Sequence, residues 1–182
     1  MTHPQLETER LILRQPLRED FDAYAMLLAD EEAARFIGGH VSRAVAWRKF
    51  LMMVGAWQIQ GFAMFSVIER ATGRWVGQLG PWRPEGWPGN EMGWAIDRAF
   101  WGKGYAFEGT SSAMDWAFDT LDWDDVIHCI HPDNGASIGL AKRLGSSNRG
   151  PGKLPSPYED SPNNIWGQTR EQWRTRRRGA AA

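Results

Sequence analysis

One cysteine in 182 residues, Cys129, excludes an internal disulfide and fits a reducing compartment. A formal net charge of −1 leaves no field that would gather nucleic acid. No run approaches membrane-spanning length, and the opening Met1-Thr2-His3-Pro4-Gln5 lacks the apolar stretch of a signal peptide. The expected place is therefore the cytoplasm, without a membrane or nucleic-acid partner. Internal repeats are missing, as is any shift in composition that would mark a second domain, so residues 1–182 are expected to form one domain. A chain of this size buries about 70% of its unfolded surface. The better-known phosphate loops are missing too. A Walker loop needs a glycine five residues before Gly102, where Asp97 stands, and Ser or Thr after Lys103, where Gly104 stands. A dinucleotide fingerprint needs a third glycine at Phe107. No acidic Mg²⁺ site accompanies the glycines, so nucleotide hydrolysis is disfavoured and no metal is expected.

What is present is ordinary for a soluble globule, 42% hydrophobic and 24% charged, apart from eleven tryptophans. Five of them, Trp75, Trp82, Trp87, Trp94 and Trp101, cluster in one third of the chain. They read either as core packing plus a homodimer face or as an aromatic wall of a ligand pocket.

The organising stretch is Trp101-Gly102-Lys103-Gly104-Tyr105-Ala106. Before it, Glu91 to Asp97 alternates as a strand, with Glu91, Gly93, Ala95 and Asp97 on one face and Met92, Trp94 and Ile96 on the other. After it, Phe107, Met114, Phe118 and Leu121 recur at helical spacing, with Ala113 and Ala117 on nearly the same face. Strand, glycine-rich turn and helix start together aim backbone N–H groups and a partial positive charge at one point, which suits phosphate. Downstream, the strand Val126–His131 leads into Pro132-Asp133-Asn134-Gly135-Ala136-Ser137 and a second helix.

These two segments resemble the GNAT superfamily of N-acetyltransferases. Its loop pattern, Gln/Arg-x-x-Gly-x-Gly/Ala, maps onto Trp101 through Ala106, with Trp101 in place of Gln or Arg. The "WGKGYA" form is similar to that of the RimJ/RimL-like branch, which acetylates N-terminal amines of ribosomal proteins. The superfamily's Asn-x-x-Ala/Ser pattern fits at Asn134, Ser137 and Gly145. The resemblance covers Leu6 to Trp173. It implies an α+β fold with a mixed, largely antiparallel sheet of about six to seven strands and about four helices.

It implies acetyl-CoA as donor, held by the backbone of Trp94, Ala95 and Ile96, by the loop Trp101, Gly102, Lys103, Gly104, Tyr105 and Ala106, and by Asn134 and Ser137. The acceptor is then a primary amine, on a small molecule or a protein N-terminus. Transfer requires a polarised carbonyl, an amine that loses its proton and a stabilised thiolate. Small residues on one face of the Glu91–Asp97 strand would let the cofactor approach closely. Base candidates are Glu91, His131, His128, His40 and Glu108, with Glu91 at the start of the strand that would hold the carbonyl. Many relatives place a Tyr seven residues after the Asn, but here that position is Ala141, leaving Ser137 as the hydroxyl near sulfur. Ser137 can equally bind backbone in a first helical turn. Asn134 is a helix cap, a pantetheine ligand, or both. An acyl-CoA-binding module without turnover is the rival reading. The mid-strand Cys129 argues against a covalent acyl-enzyme.

Elsewhere the expected elements are a strand Leu11–Arg14, a helix through Phe21, Tyr24, Ala25 and Leu28 that closes at Gly38-Gly39, and a helix capped by Ser42. A hairpin follows, Phe62–Ile68 with Trp75–Leu79 about Thr72-Gly73, then a loop Pro81–Asn90. Asn148–Asn163 is expected as a loop enclosing an irregular strand, Ile165–Thr169 as the last strand, and 174–182 as a disordered basic tail.

Overall fold

The apolar run Leu11-Ile12-Leu13 lays down a strand near the start of the sheet, and later strands are added in sequence order until the last two exchange places. A computed structural model describes residues 4–180. The first three residues of the N-terminal reading and the last two of the expected tail lie outside the described residues. Strand β1 (Leu6–Glu7) pairs with β2 (Leu11–Arg14), and β2 with β3 (Phe65–Glu69), which forms the expected hairpin with β4 (Trp75–Trp82). Next come β5 (Glu91–Ile96), β6 (Asp125–Ile130), β7 (Ser147–Gly152) and β8 (Asn163–Thr169). The sheet order is β1-β2-β3-β4-β5-β6-β8-β7, and every pairing is antiparallel except β5 with β6. The architecture is α+β, with eight strands and six α-helices among the described residues where the sequence pattern suggested about six to seven and about four.

The extra elements have identifiable causes. Two-residue β1 is too short to show a period. Edge strand β7, carrying Gly150 and Pro151, is the irregular strand of the Asn148–Asn163 segment. Helix α1 (Phe21–Ala29) does not run on to the glycines. Asp30 adopts an extended conformation and its carboxylate accepts the amides of Glu32 and Ala33, starting the short helix α2 (Glu31–Ala34). Ser42 caps α3 (Arg43–Gln60) as its position implies.

Helix α4 (Tyr105–Thr120) lies on one sheet face, where Ala113, Met114, Ala117 and Phe118 join Leu11, Leu13, Phe65, Leu79 and Met92 in the main core. A second cluster joins α1 (Phe21, Tyr24, Leu28) to α3 (Ala46, Phe50), with Trp75 and Ala95 against it. Helix α5 (Gly135–Leu144) follows β6.

The expected basic tail is replaced over its described residues, 174–180, by helix. Residues Arg170–Ala180 form helix α6. Trp173 is 2% exposed and its indole donates to Asp115, while Arg174 pairs with Asp119 and Arg177 with Asp115. Acidic residues one turn apart on α4 offset the arginines that suggested a solvated segment. Among the described residues no helix is long and apolar enough to cross a membrane.

Candidate active site

Strands β5 and β6 are each six residues long, yet only Glu91 and Ile127 stand in parallel register. Beyond that pair the strands part, while β5 stays paired with β4 up to Ile96 and β6 stays paired with β8 throughout. Side chains take the ladder's place at the point of parting. The Cys129 amide donates to Glu91 Oε1 at 3.1 Å. His128 donates from Nδ1 to the Met92 carbonyl at 2.7 Å, since a carbonyl only accepts, which leaves Nε2 to accept from the Ser146 hydroxyl at 2.9 Å. Gln168 in turn donates to Ser146 Oγ. Burial keeps this histidine neutral, its pKa pushed down to about 4.

Backbone direction along β5 follows from its fixed ends. The Asn90 carbonyl accepts from the Ile127 amide on the β6 side, and the Asp97 amide donates to Val76 on the β4 side. Alternation therefore turns the peptide groups of Trp94 and Ile96 into the gap and those of Ala95 toward β4. Trp101 donates its indole N–H to the Ile96 carbonyl at 2.7 Å. The small-residue face does not stand open as the pattern suggested. A Cβ on Gly93 would lie 2.4 Å from Met64 Cε, and Ala95 packs on the α1–α3 cluster. Those residues are small to admit the protein's own side chains.

The gap opens beside the glycine turn. Gly102 and Gly104 have φ of +74° and +80°, a region costly to residues with a Cβ. Gly104 is the N-cap of α4 and offers no side-chain acceptor, so the first amides of the helix, from Tyr105 and Ala106 onward, are uncapped. Arg10 braces this turn from β2's approach. It donates to the Lys103 carbonyl at 2.9 Å, pairs with Glu108 at 2.6 Å, and lies 4.6 Å from the Tyr105 ring centre. Glu108 also accepts from the Thr8 hydroxyl and the Arg10 amide. Partial burial opposes its ionisation, but these bonds outweigh it and hold the carboxyl below its ordinary pKa. Glu108 is thus a fastening for the turn. Lys103 rests its ammonium 4.8 Å from the Phe100 ring centre.

At the inner end of the gap sits Glu91, 8% exposed. Trp87 donates its indole N–H to Oε2 at 2.5 Å. Burial raises the carboxyl pKa to about 7, against the opposing bonds from Cys129 and Trp87. Across the gap, Trp94 donates from its indole to Ser137 Oγ at 3.1 Å. Asn134 caps α5 by accepting the Ser137 amide. Ala141 is fully buried with Ile130 and Trp166, so no proton donor reaches the gap from that position. His131 accepts the Asp133 amide and packs on Phe36, and His40 is exposed between α2 and α3. The five clustered tryptophans divide: Trp75 and Trp82 serve the cores, while Trp87, Trp94 and Trp101 each spend an indole N–H at the site. Arg10 was not legible as a site residue, and His128, one of the base candidates, is instead buried between the Met92 carbonyl and Ser146. Burial of His128 has no sequence signal, and 98 residues separate Arg10 from Glu108.

The model of the acetyltransferase (GNAT) domain family matches residues 10–147. The chain belongs to the GNAT acetyltransferases. As a GNAT enzyme it is an N-acetyltransferase, of a family whose donor is acetyl-CoA. It is similar to an acetyltransferase from Agrobacterium tumefaciens str. C58, 28% identical with TM-score 0.82, covering 93% of this chain and 96% of that one. A GNAT-family acetyltransferase from Bacillus anthracis shares the fold at 20% identity and TM-score 0.78, over 92% and 99%. The ribosomal-protein-S5-alanine acetyltransferase from Vibrio fischeri shares it at 17% and 0.69, over 93% and 98%. No curated protein matches the chain at a significant level. Among the described residues no group of three or more His, Cys, Asp or Glu is placed to hold a metal ion.

Proposed function

We propose that this GNAT enzyme moves an acetyl group directly from acetyl-CoA to a primary amine, with the donor lying in the gap between β5 and β6. The observation that carries the reading is the single register pair Glu91–Ile127 beside an uncapped helix start. The gap presents the Trp94 peptide group and the Ile96 amide to a pantetheine arm, and the turn presents amides to a pyrophosphate. Acetyl-CoA would supply an activated thioester carbonyl and a thiolate leaving group.

The amides of Gly102 through Ala106, with Lys103 and Arg10 beside them, bind and offset phosphate charge. The Trp94 peptide group and the Ile96 amide orient the pantetheine amides, while the Ile96 carbonyl is held by the Trp101 indole and Asn134 fixes the start of α5 at the rim. Glu91 takes the amine's proton: with a pKa near 7 it is about half ionised at neutral pH and still basic enough to accept. Ser137 donates a hydrogen bond that stabilises the departing thiolate, which takes its proton from water. The Ser137 lone pair is held by the Trp94 indole, which leaves the hydroxyl hydrogen to turn toward the gap. Cys129 takes no covalent part, because burial, with the Glu91 charge beside it, raises the pKa of its thiol.

The acceptor is a small amine or a protein N-terminal α-amine. The resemblance to the RimJ/RimL-like branch supports the second. The aromatic ring of Trp87 directly on Glu91 supports a compact amine with an apolar substituent, and we favour it.

The test is thermal stabilisation by acetyl-CoA, CoA and NAD, followed by thiol release with a panel of primary amines. Stabilisation by the two CoA compounds alone, with thiol release, is the expected result. Stabilisation without thiol release would make the chain a binding module. Ser137→Ala is expected to lower kcat by about a hundredfold, the order found on removing one donor that stabilises transition-state charge, with little change in acetyl-CoA affinity. An unaltered kcat would remove Ser137 from the reaction.

A further inference from the structure

The Glu91 carboxylate is roofed by a chain of contacts from three distant segments. Trp87, in the 83–90 connection, donates to its Oε2. The Trp87 ring meets the edge of Tyr158, with centroids 6.3 Å apart and planes at 84°. Tyr158 belongs to the 153–162 connection between β7 and β8, and its hydroxyl accepts from Lys49 Nζ on α3 at 3.1 Å. The same ammonium lies 5.7 Å from the Tyr158 ring centre. Gly38 leaves room for the ring: a Cβ there would stand 3.3 Å from Tyr158 Cε1. Pro155 packs within 3.5 Å of the corresponding point on Gly86.

We propose that Trp87 and Tyr158 are positioning residues for Glu91, Trp87 aiming the carboxylate through its indole N–H and Tyr158, fixed by Lys49, setting the Trp87 ring. The inference rests on the reading of Glu91 as the base, and it goes beyond that reading by naming what sets the base.

The chemistry is specific to the donor. Each oxygen accepts one donor, Oε1 from the Cys129 amide and Oε2 from the Trp87 indole, and each keeps a lone pair for a proton. An indole N–H donates and cannot accept, so it favours the carboxylate over the carboxylic acid. The titratable and charged groups facing Glu91 are few. Cys129 faces it from β6, and Tyr158 and Lys49 stand behind Trp87. On the 83–90 connection Arg83 is bound to Asn90 and Glu85 is exposed. His128 is turned to the Met92 carbonyl, and His131 packs on Phe36.

The proton on Glu91 can be read without any acceptor, by difference infrared of the carboxyl stretch, wild type minus Glu91→Gln, titrated with pH. Trp87→Phe removes the donor and keeps an aromatic ring. Its Glu91 midpoint is expected about one pH unit above wild type, the effect of losing one bond to a charged group. Tyr158→Ala, a change in an outer connection, is expected to move the midpoint the same way by less. Added to Trp87→Phe it should contribute nothing further, because it acts through that ring. An unmoved midpoint in Trp87→Phe, or additive shifts in the pair, would overturn the proposal. The base reading fails separately: wild-type acetyl transfer by Glu91→Gln across the pH range would sink it while leaving the infrared result intact.

Discussion

Glu91 and His128 stand on neighbouring strands, both buried, and their protonation equilibria are displaced in opposite senses. The folded chain holds the Glu91 proton more tightly than the unfolded chain does, since burial raises its pKa from 4.5 to about 7. Its contribution to stability is complete below about 4.5 and is lost as pH rises through about 7. His128, lowered from 6.5 to about 4, contributes above 6.5 and loses that contribution as pH falls through about 4. Glu91→Gln cannot ionise, so its stability relative to wild type should rise across the window from 4.5 to about 7. The upper bound is about 3 kcal/mol, from a displacement of roughly 2.5 pH units at 1.36 kcal/mol each. Urea unfolding of both proteins at several pH values measures it, and parallel curves would mean that Glu91 is not held as its surroundings imply. Legibility differs sharply between the two residues. Glu91 was visible because alternation placed it at the head of the strand before the turn. The environment of His128 comes from Ser146 and Gln168, brought together only by folding.

Among the elements, the glycine turn was legible and its brace was not. Gly102, Gly104 and the helical period after Tyr105 announce a strand, a turn and a helix in any chain that contains them. Nothing local says that Arg10 will reach across to the Lys103 carbonyl and Glu108. We expect Arg10→Ala to weaken acetyl-CoA binding about tenfold, equivalent to about 1.4 kcal/mol, and to leave the unliganded fold nearly as stable as before. Isothermal titration checks it, with Arg10→Lys as the companion that keeps the charge and loses the planar fork. Equal affinity in Arg10→Ala would reduce the brace to a surface contact. The small residues of β5 teach a related lesson. Gly93 was read as room for a cofactor, but a missing side chain does not say what fills the space, and here Met64 does.

Across the whole molecule, helix α6 closes the main core. Its sequence, rich in arginine, is what a solvated tail looks like in isolation, because the neutralising Asp115 and Asp119 lie more than fifty residues away on α4. Trp173 was the one local hint, an aromatic residue that needs a partner. Replacing it with Ala should cost about 3–5 kcal/mol, the usual loss for a buried large aromatic. That corresponds to a fall in Tm of roughly 10 °C for a chain of this size. A melting temperature unchanged by Trp173→Ala would return the segment to the status of a tail. Sheet order itself was legible only in outline. Strands that pair with sequence neighbours follow from hairpins, whereas the insertion of β8 between β6 and β7 depends on tertiary packing.

The seam of Glu91, Cys129, His128 and Met92 bears on the kinetics of association. Because side chains already occupy the positions where a ladder would close, a donor entering as proposed would break no backbone ladder bonds between these strands. On that reading the encounter rate would be governed by diffusion and by capture at the glycine turn, with no slow unzipping step before it. Little of the binding free energy is diverted into reshaping the sheet, so affinity reports the contacts themselves. A sheet with one unfinished seam would then act as a preformed receptor for the proposed donor, leaving discrimination among acceptors to the loops around it.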